Sequence, residues 1–500
     1  YQIQKIQTVK TFGDRVTGKI VPQSSAFFNH DPHLGSYQLS TGNIEHGAQA
    51  IQQTKQYFKY QFGNSVFYNT AINFSHTILI QNIIAEGTGI GSIIKITIDS
   101  KMHGLQKDAV VRILGVSEEG YNSGPNSGAE NAGDYVVYRI IDDHTFEIKA
   151  IKNLGTTTPT IATDSKIAVI NWQGTAVKAG VYDDQNGVFW EYDGKTLYAV
   201  LRTSTEKITG TISVNKDSHV ITGVNTKFTD QLIVSDRVVI NGMTYIVTSV
   251  SNDTEFTIAA DYRGYQDQKS IKITKIVDTK IPQTEFNIDK LDGVGSSNYL
   301  FDVSRIQMIG LQYTWQGAGH IDFLIKGIDG EWIFAHKMRT INQNTKIYMR
   351  TANLPVRIES SNETAKSSLK SNITASSTSI ILNDSSQFPD TGTICIDNEL
   401  IAFNSNTKTT NTLGDCVRAA KYTCYNASAI RSYTGSSAAS HTAKTGVILI
   451  SQTAQPIVHN WSSSYQIDGK YNTDNEKVFA YTIKNTEITN QENTNLMLRL

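Results

Sequence analysis

Tyr135-Val-Val137-Tyr-Arg-Ile140-Ile-Asp-Asp143-His-Thr145-Phe146-Glu-Ile148-Lys-Ala150 returns as Tyr245-Ile-Val247-Thr-Ser-Val250-Ser-Asn-Asp253-Thr-Glu-Phe256-Thr-Ile258-Ala-Ala260, at a constant offset of 110 residues. Each copy follows another matching run, Asp108-Ala-Val110-Val-Arg-Ile113 and Asp236-Arg-Val238-Val-Ile240, now 128 residues apart. The difference is an insertion of 18 residues within Gly115 to Asp134, a Ser-, Glu-, Asn- and Gly-rich stretch that reads as an exposed loop, where added length costs little closure entropy. In the second copy the same place holds Asn241-Gly242 between alternating apolar residues, the strongest short-range signal for a two-residue hairpin. Apolar residues at every second position predict three or four short strands with one inward face. So small a unit has no deep core of its own and is expected to pack on something else.

The rest of the chain agrees with an all-β reading. Its 500 residues allow three or four domains. A hydrophobic share of 39%, with many Tyr and an abundance of Thr, Asn, Ser and Ile, suits half-exposed strands. The balance of 45 basic against 46 acidic residues provides no field to gather nucleic acid or an anionic membrane, so neither is expected as a partner. Cys395, Cys416 and Cys424 are too few and too oddly spaced for a disulfide framework or zinc site and read as free thiols. No apolar run is long enough to span a bilayer. The opening Tyr1 and the closing Asn-Leu-Met-Leu-Arg-Leu500 give the look of a chain cut or processed from something longer.

Aromatic strands occur in four separated groups. The economical arrangement is a discontinuous β-sandwich made of residues 46–85, 164–206, 276–359 and 451–500. Small β-barrel or β-sandwich modules then sit in its loops: 86–163, 207–275 (the repeat of the first) and 360–450. Loops tolerate insertions because their backbone is already solvated. Residues 1–45 read as an N-terminal arm laid over a neighbour, and His46 to Tyr57, rich in Ala, Gln and Lys, predicts the one helix. Hairpins are expected at Asp193-Gly194, Asp329-Gly330 and Asp397-Asn398. A string of independent domains is the rival arrangement.

Catalytic motifs are missing: there is no Gly-x-Ser-x-Gly elbow, Walker loop, His-Glu-x-x-His or dinucleotide fingerprint. No catalytic residue, metal ligand or cofactor is therefore assigned. His30-Asp-Pro-His33 with His46 has metal-ligand chemistry, but solvated loop histidines account for it. His103 reads as a turn residue entering a strand. Asp183-Asp184, Asp142-Asp143 and Glu118-Glu119 sit at predicted turns, where Asp caps its own backbone. Trp190, Tyr192, Trp315 and Trp332 are the aromatics that could stack on sugar rings, with core packing as the competing explanation.

Five segments in order carry a resemblance: Val181-Tyr-Asp-Asp-Gln-Asn-Gly187 running on through Arg202, Phe286-Asn-Ile-Asp-Lys-Leu-Asp-Gly293, Tyr313-Thr-Trp-Gln-Gly-Ala-Gly319, Met349-Arg-Thr-Ala-Asn-Leu-Pro-Val-Arg-Ile-Glu359, and Val458-His-Asn-Trp461 through Gly469. Together they resemble large virion structural proteins of marine contractile-tailed phages, cyanophages in particular. The turns Thr222-Gly223-Val-Asn-Thr226-Lys-Phe228 and Phe388-Pro389-Asp-Thr-Gly392 are similar to small β units of phage tail and baseplate proteins. The resemblance implies a virion protein of the tail or baseplate, not an enzyme, working as a scaffold against other virion proteins and as a symmetric homo-oligomer. The alternative expectation is a tail-fibre protein or adhesin that binds host-surface glycan.

Overall fold

The computed structural model describes residues 27–468, apart from 33, 43–46, 62, 76, 100–102, 124–132, 363–364, 421, 425–430 and 434–435. The protein is all-β, as expected: its only described α-helix is the single turn Phe228–Gln231. Three bodies of antiparallel strands dominate. The first is a seven-stranded sheet in the order Phe27–Asp31, Ser36–Ser40, Val458–Asp468, Ser65–Asn73, Gln307–Thr314, His320–Lys326 and Trp332–Arg339. Residues 27–40, read from sequence as part of an arm, are thus an edge hairpin of this sheet through the pairing of Tyr37 with Asn460.

The second body is a closed six-stranded barrel. Its strands run Ile161–Asn171, Thr77–Ala85, Ile93–Ile98, Thr145–Lys149, Tyr135–Ile140 and Val110–Val116, and then return to the first. Closure leaves no free edge. Stave Thr77–Ala85 lies in the segment read as sandwich, and Ile161–Asn171 runs across the 163/164 boundary, so the barrel draws strands from beyond the first module.

The third body is a twelve-stranded sheet. It joins the second repeat to the sandwich through Thr274–Pro282, which pairs with Arg237–Ile240 of the repeat and Leu197–Lys207 of the sandwich. The sheet continues through Gly187–Tyr192, Ala176–Tyr182, Val356–Ser361 and Gln49–Gln53. The expected helix at His46–Tyr57 is therefore corrected. Its centre, Gln49–Gln53, is an edge strand paired residue by residue with Arg357–Ser361, and a long-range ladder outweighs a weak local preference; His46 lies outside the described residues.

The repeat is real at the level of pairing. Ile93–Ile98, Thr145–Lys149, Tyr135–Ile140 and Val110–Val116 are neighbours in that order, and so are Val220–Val224, Glu255–Ile258, Met243–Asn252 and Arg237–Ile240. Tyr135 and Tyr245, Val137 and Val247, Phe146 and Phe256, and Ile148 and Ile258 are all buried. The repeated letters are core positions. The copies differ in closure: the long strand Ile161–Asn171 seals the first, whereas Gln268–Ile271 and Thr274–Pro282, two residues apart, divide that task in the second. The described first part of the Gly115–Asp134 loop, residues 115–123, is less exposed than expected at Tyr121, which is fully buried and donates its hydroxyl to the Thr156 carbonyl.

Turn chemistry is as read. Asn241-Gly242 and Asp397-Asn398 close two-residue hairpins, with positive φ at Asn241, Gly242 and Asp397. At Gly194 (φ +98°) a Cβ would lie 2.4 Å from the Trp172 carbonyl oxygen, so only glycine fits the turn.

One continuous apolar core fills the space between the sandwich sheets and runs into the barrel. The second and third modules have separate cores. Trp190 joins the two sandwich sheets: its indole packs edge-on against Phe323 (5.2 Å) and Nε1–H donates to the Gly310 carbonyl at 3.0 Å. In the third module Cys395 and Cys416 are both buried; the side chain of Cys424 lies outside the described residues.

The other face of the twelve-stranded sheet is also buried, and it is charged. Lys178 reaches Glu359 (3.2 Å), Arg357 reaches Glu359 and Asp184 (each 2.8 Å), Arg202 forks onto Asp278 (2.8 Å twice), and Lys280 reaches Glu191 (2.6 Å). Modules are tied across their borders by further pairs. Asp236 of the second module takes Lys275 at 2.6 Å and Lys366 of the third at 2.9 Å, and Arg112 of the barrel takes Asp302 at 3.1 Å.

Within the third module Glu399 is held by Arg418 (2.8 and 2.6 Å), by His441 (2.9 Å) and by the Ala419 and Ala439 amides (each 3.1 Å). Burial alone would raise this carboxyl, but the hydrogen bonds from Arg418, His441 and the two amides outweigh it and pull the pKa down to about 2 from an ordinary 4.5. A depressed carboxyl stabilises the fold above its unfolded value, and that contribution is lost as pH falls through the folded value. Protection factors of the third module's amides, with exchange taken relative to unstructured peptide at the same pH, are therefore expected to fall between pH 4.5 and about 2 in the native protein. In Glu399→Gln this acid step disappears. An acid step of equal size in both proteins would contradict the linkage.

Candidate functional site

A concavity lies where the two sandwich sheets part, between the Gln49–Gln53 edge strand and the Val458–Asp468 strand. It holds about 300 Å³, at the small end of ligand pockets. Gln52 and Gln53 lead into it from one wall, Asn460, Trp461, Ser462 and Ser463 from the other, and Phe58 and Tyr465 form its floor with rings stacked 4.2 Å apart.

A bulge builds the second wall. Asn460 pairs with Ile72 and Ser462 with Ala71, so Trp461 is the extra residue; bulges of this kind re-aim a side chain. Trp461 is half-exposed and firmly held, with Nε1–H donating to the Leu34 carbonyl (2.9 Å) and the ring stacked on His459. His459 is in turn bonded to the Ser36 hydroxyl at 3.0 Å.

Gln52 stands opposite Ile358, a core residue, and directly opposed residues share a sheet face. Its amide is thus turned between the sheets. The residue is only 6% exposed, and among the described residues its side chain has no hydrogen-bond partner. Among the described residues Lys55 is the one charged side chain lining the groove.

The four aromatics singled out from sequence are not brought together. Trp190 and Tyr192 are buried, the first bonded to Gly310 and the second donating its hydroxyl to the Ile170 carbonyl at 2.9 Å; neither presents a face to a sugar. Trp315 is half-buried, edge-on to Tyr60, and donates to the Met349 carbonyl at 3.1 Å. Trp332 is half-exposed on the outer face of the seven-stranded sheet, lying across Gly310 with Phe67 at its edge and Lys326 over its ring at 5.5 Å. The sequence reading passed over Trp461 as a contact. The one available signal was the break in alternation at Asn460-Trp461-Ser462, which marks the bulge.

The remaining candidates resolve as turn chemistry. His103 bonds the Asp142 carbonyl through Nε2 (2.8 Å) and accepts from the Leu105 amide at Nδ1 (2.9 Å), and burial lowers its pKa. Asp183 caps the Gln185 and Asn186 amides, while Asp184 pairs with Arg357. His30 is exposed beside Tyr37; His33 and His46 lie outside the described residues. Among the described residues no group of three or more His, Cys, Asp or Glu is placed to hold a metal, and no helix is long and apolar enough to cross a membrane. No protein-family model and no curated protein matches the chain.

Proposed function

We propose that the protein is a structural component of a tailed-phage particle, in the tail or baseplate, where it serves as a rigid block against neighbouring virion subunits. The ordered run of five motifs supports that class. The observation that carries the mechanical reading is the twelve-stranded sheet, which passes without interruption from the sandwich into the second module while Asp236 clamps the third module to it. A continuous ladder transmits load through backbone hydrogen bonds, and a buried carboxylate between two lysines resists separation of the lobes. Many copies at symmetric positions would need only modest contacts each, since repetition multiplies them.

A reconstruction of the particle tests the reading directly, with density for this chain expected at symmetric tail or baseplate positions. Its absence from purified particles would end the proposal. A second test concerns stiffness. Asp236→Ala removes the partner of two half-exposed lysines and the acceptor of the Ile233 amide, at a cost of about 2 kcal/mol. Limited proteolysis is expected to release the third module faster, with fewer copies entering particles. Unchanged proteolysis and incorporation would show that the clamp does no mechanical work.

A further inference from the structure

We infer that the groove between the sandwich sheets is a saccharide site, which seats a neutral pyranose unit of a surface polysaccharide between Trp461 and Gln52. This goes beyond an architectural role and does not depend on it. Three observations point the same way.

Trp461 offers a half-exposed indole face that is already fixed, by its bond to Leu34 and its stack on His459. A rigid aromatic plate can cover the C–H face of a sugar ring with little further loss of conformational entropy. Gln52 offers the polar half. The residue is 6% exposed, lines the groove and has no side-chain hydrogen-bond partner among the described residues. The amide opens onto the groove with its hydrogen-bonding capacity unused by the described residues, so it favours an occupant with both a donor and an acceptor. A primary amide carries each on adjacent atoms, and two neighbouring sugar hydroxyls match that pair.

The charge of the lining separates ligand classes. Lys55, exposed at the rim, is its only charged group among the described residues, so a phosphate, sulfate or organic cation would enter without adequate compensation. A purely apolar guest would leave Gln52 unbonded. Ser462, Ser463 and Thr54 at the mouth add hydroxyls for sugar units further along the chain. The volume of about 300 Å³ suits one ring held inside with its neighbours outside.

The test is calorimetric titration of the full chain with neutral oligosaccharides of glucose, galactose, mannose and N-acetylglucosamine, alongside an extended peptide of alternating Val and Thr. At least one oligosaccharide is expected to bind saturably with millimolar or better affinity, weakened about tenfold or more by Trp461→Ala and by Gln52→Leu. Trp332→Ala, on the outer face, is expected to leave that affinity unchanged. Gln52→Leu removes an amide with no hydrogen-bond partner among the described residues, so its melting temperature should stay level, which separates lost binding from lost folding. No saturable binding by any of the sugars, affinity indifferent to Gln52→Leu, or occupation by the peptide alone would each overturn the inference. Particle incorporation of Trp461→Ala is read separately; its loss would bear on the structural role and not on the sugar site.

Discussion

Glu359→Ala is expected to destabilise the protein by about 3–5 kcal/mol, the usual consequence of stripping one partner from a buried charge cluster. Both of its cationic neighbours are deeply buried, with side-chain exposures of 6% for Lys178 and 4% for Arg357. Arg357 would keep Asp184, but Lys178 would retain only the Ser361 hydroxyl at 3.1 Å. The cost comes from a cation left in a dry sheet face more than from the attraction lost. Burial by itself would raise the Glu359 carboxyl; Lys178 and Arg357 override it and hold the pKa far below the ordinary carboxylate range. The pair's contribution is then present above the unfolded carboxyl's pKa and fades only as pH falls through the much lower folded value. Urea unfolding at neutral pH, followed by tryptophan fluorescence, measures the loss. A change below about 1 kcal/mol, the size expected of a surface pair, would mean that this face is wet in solution.

Trp190→Ala is expected to cost a further large amount, about 3–5 kcal/mol, because it empties the space of one of the two fully buried tryptophans of the main core. It also removes the donor to the Gly310 carbonyl and the edge-on contact with Phe323. These two contacts lie on the opposite sheet, so the lesion should loosen both sheets together. Hydrogen exchange is the discriminating measurement. Amides of Gly187–Tyr192 and of Gln307–Thr314 are expected to lose protection in step, while the core of the second module keeps its own. If only the first strand responds, the sheets do not share a core.

Much of the local structure was legible. The repeated Tyr, Val, Phe and Ile positions are the buried ones in both copies, because a side-chain period of two marks one inward face wherever the strand runs. Asn241-Gly242 and Asp397-Asn398 close their hairpins because positive φ is a property of those residues themselves. The failures are long-range. Gln49–Gln53 looked helical by composition, yet its partner Val356–Ser361 lies some three hundred residues away and no window of sequence contains both. Residues 27–40 looked like a loose arm for the same reason, since the strand that fixes them, Val458–Asp468, comes near the other end. Trp190 and Tyr192 admitted two readings, sugar contact or core, because aromatic strands read alike whether their faces meet water or another sheet; the core reading holds.

By itself, then, the sequence determined the β class, the twofold module, the turns and the inward positions, all of which depend on a few neighbouring residues and their intrinsic backbone preferences. Tertiary structure alone decided which tryptophan faces solvent, which carboxylates are buried among lysines and arginines, and where two sheets part to leave a groove beside Gln52. Those outcomes are set by pairing between segments hundreds of residues apart, and the free energy of burying a side chain depends on what the distant segment brings to meet it.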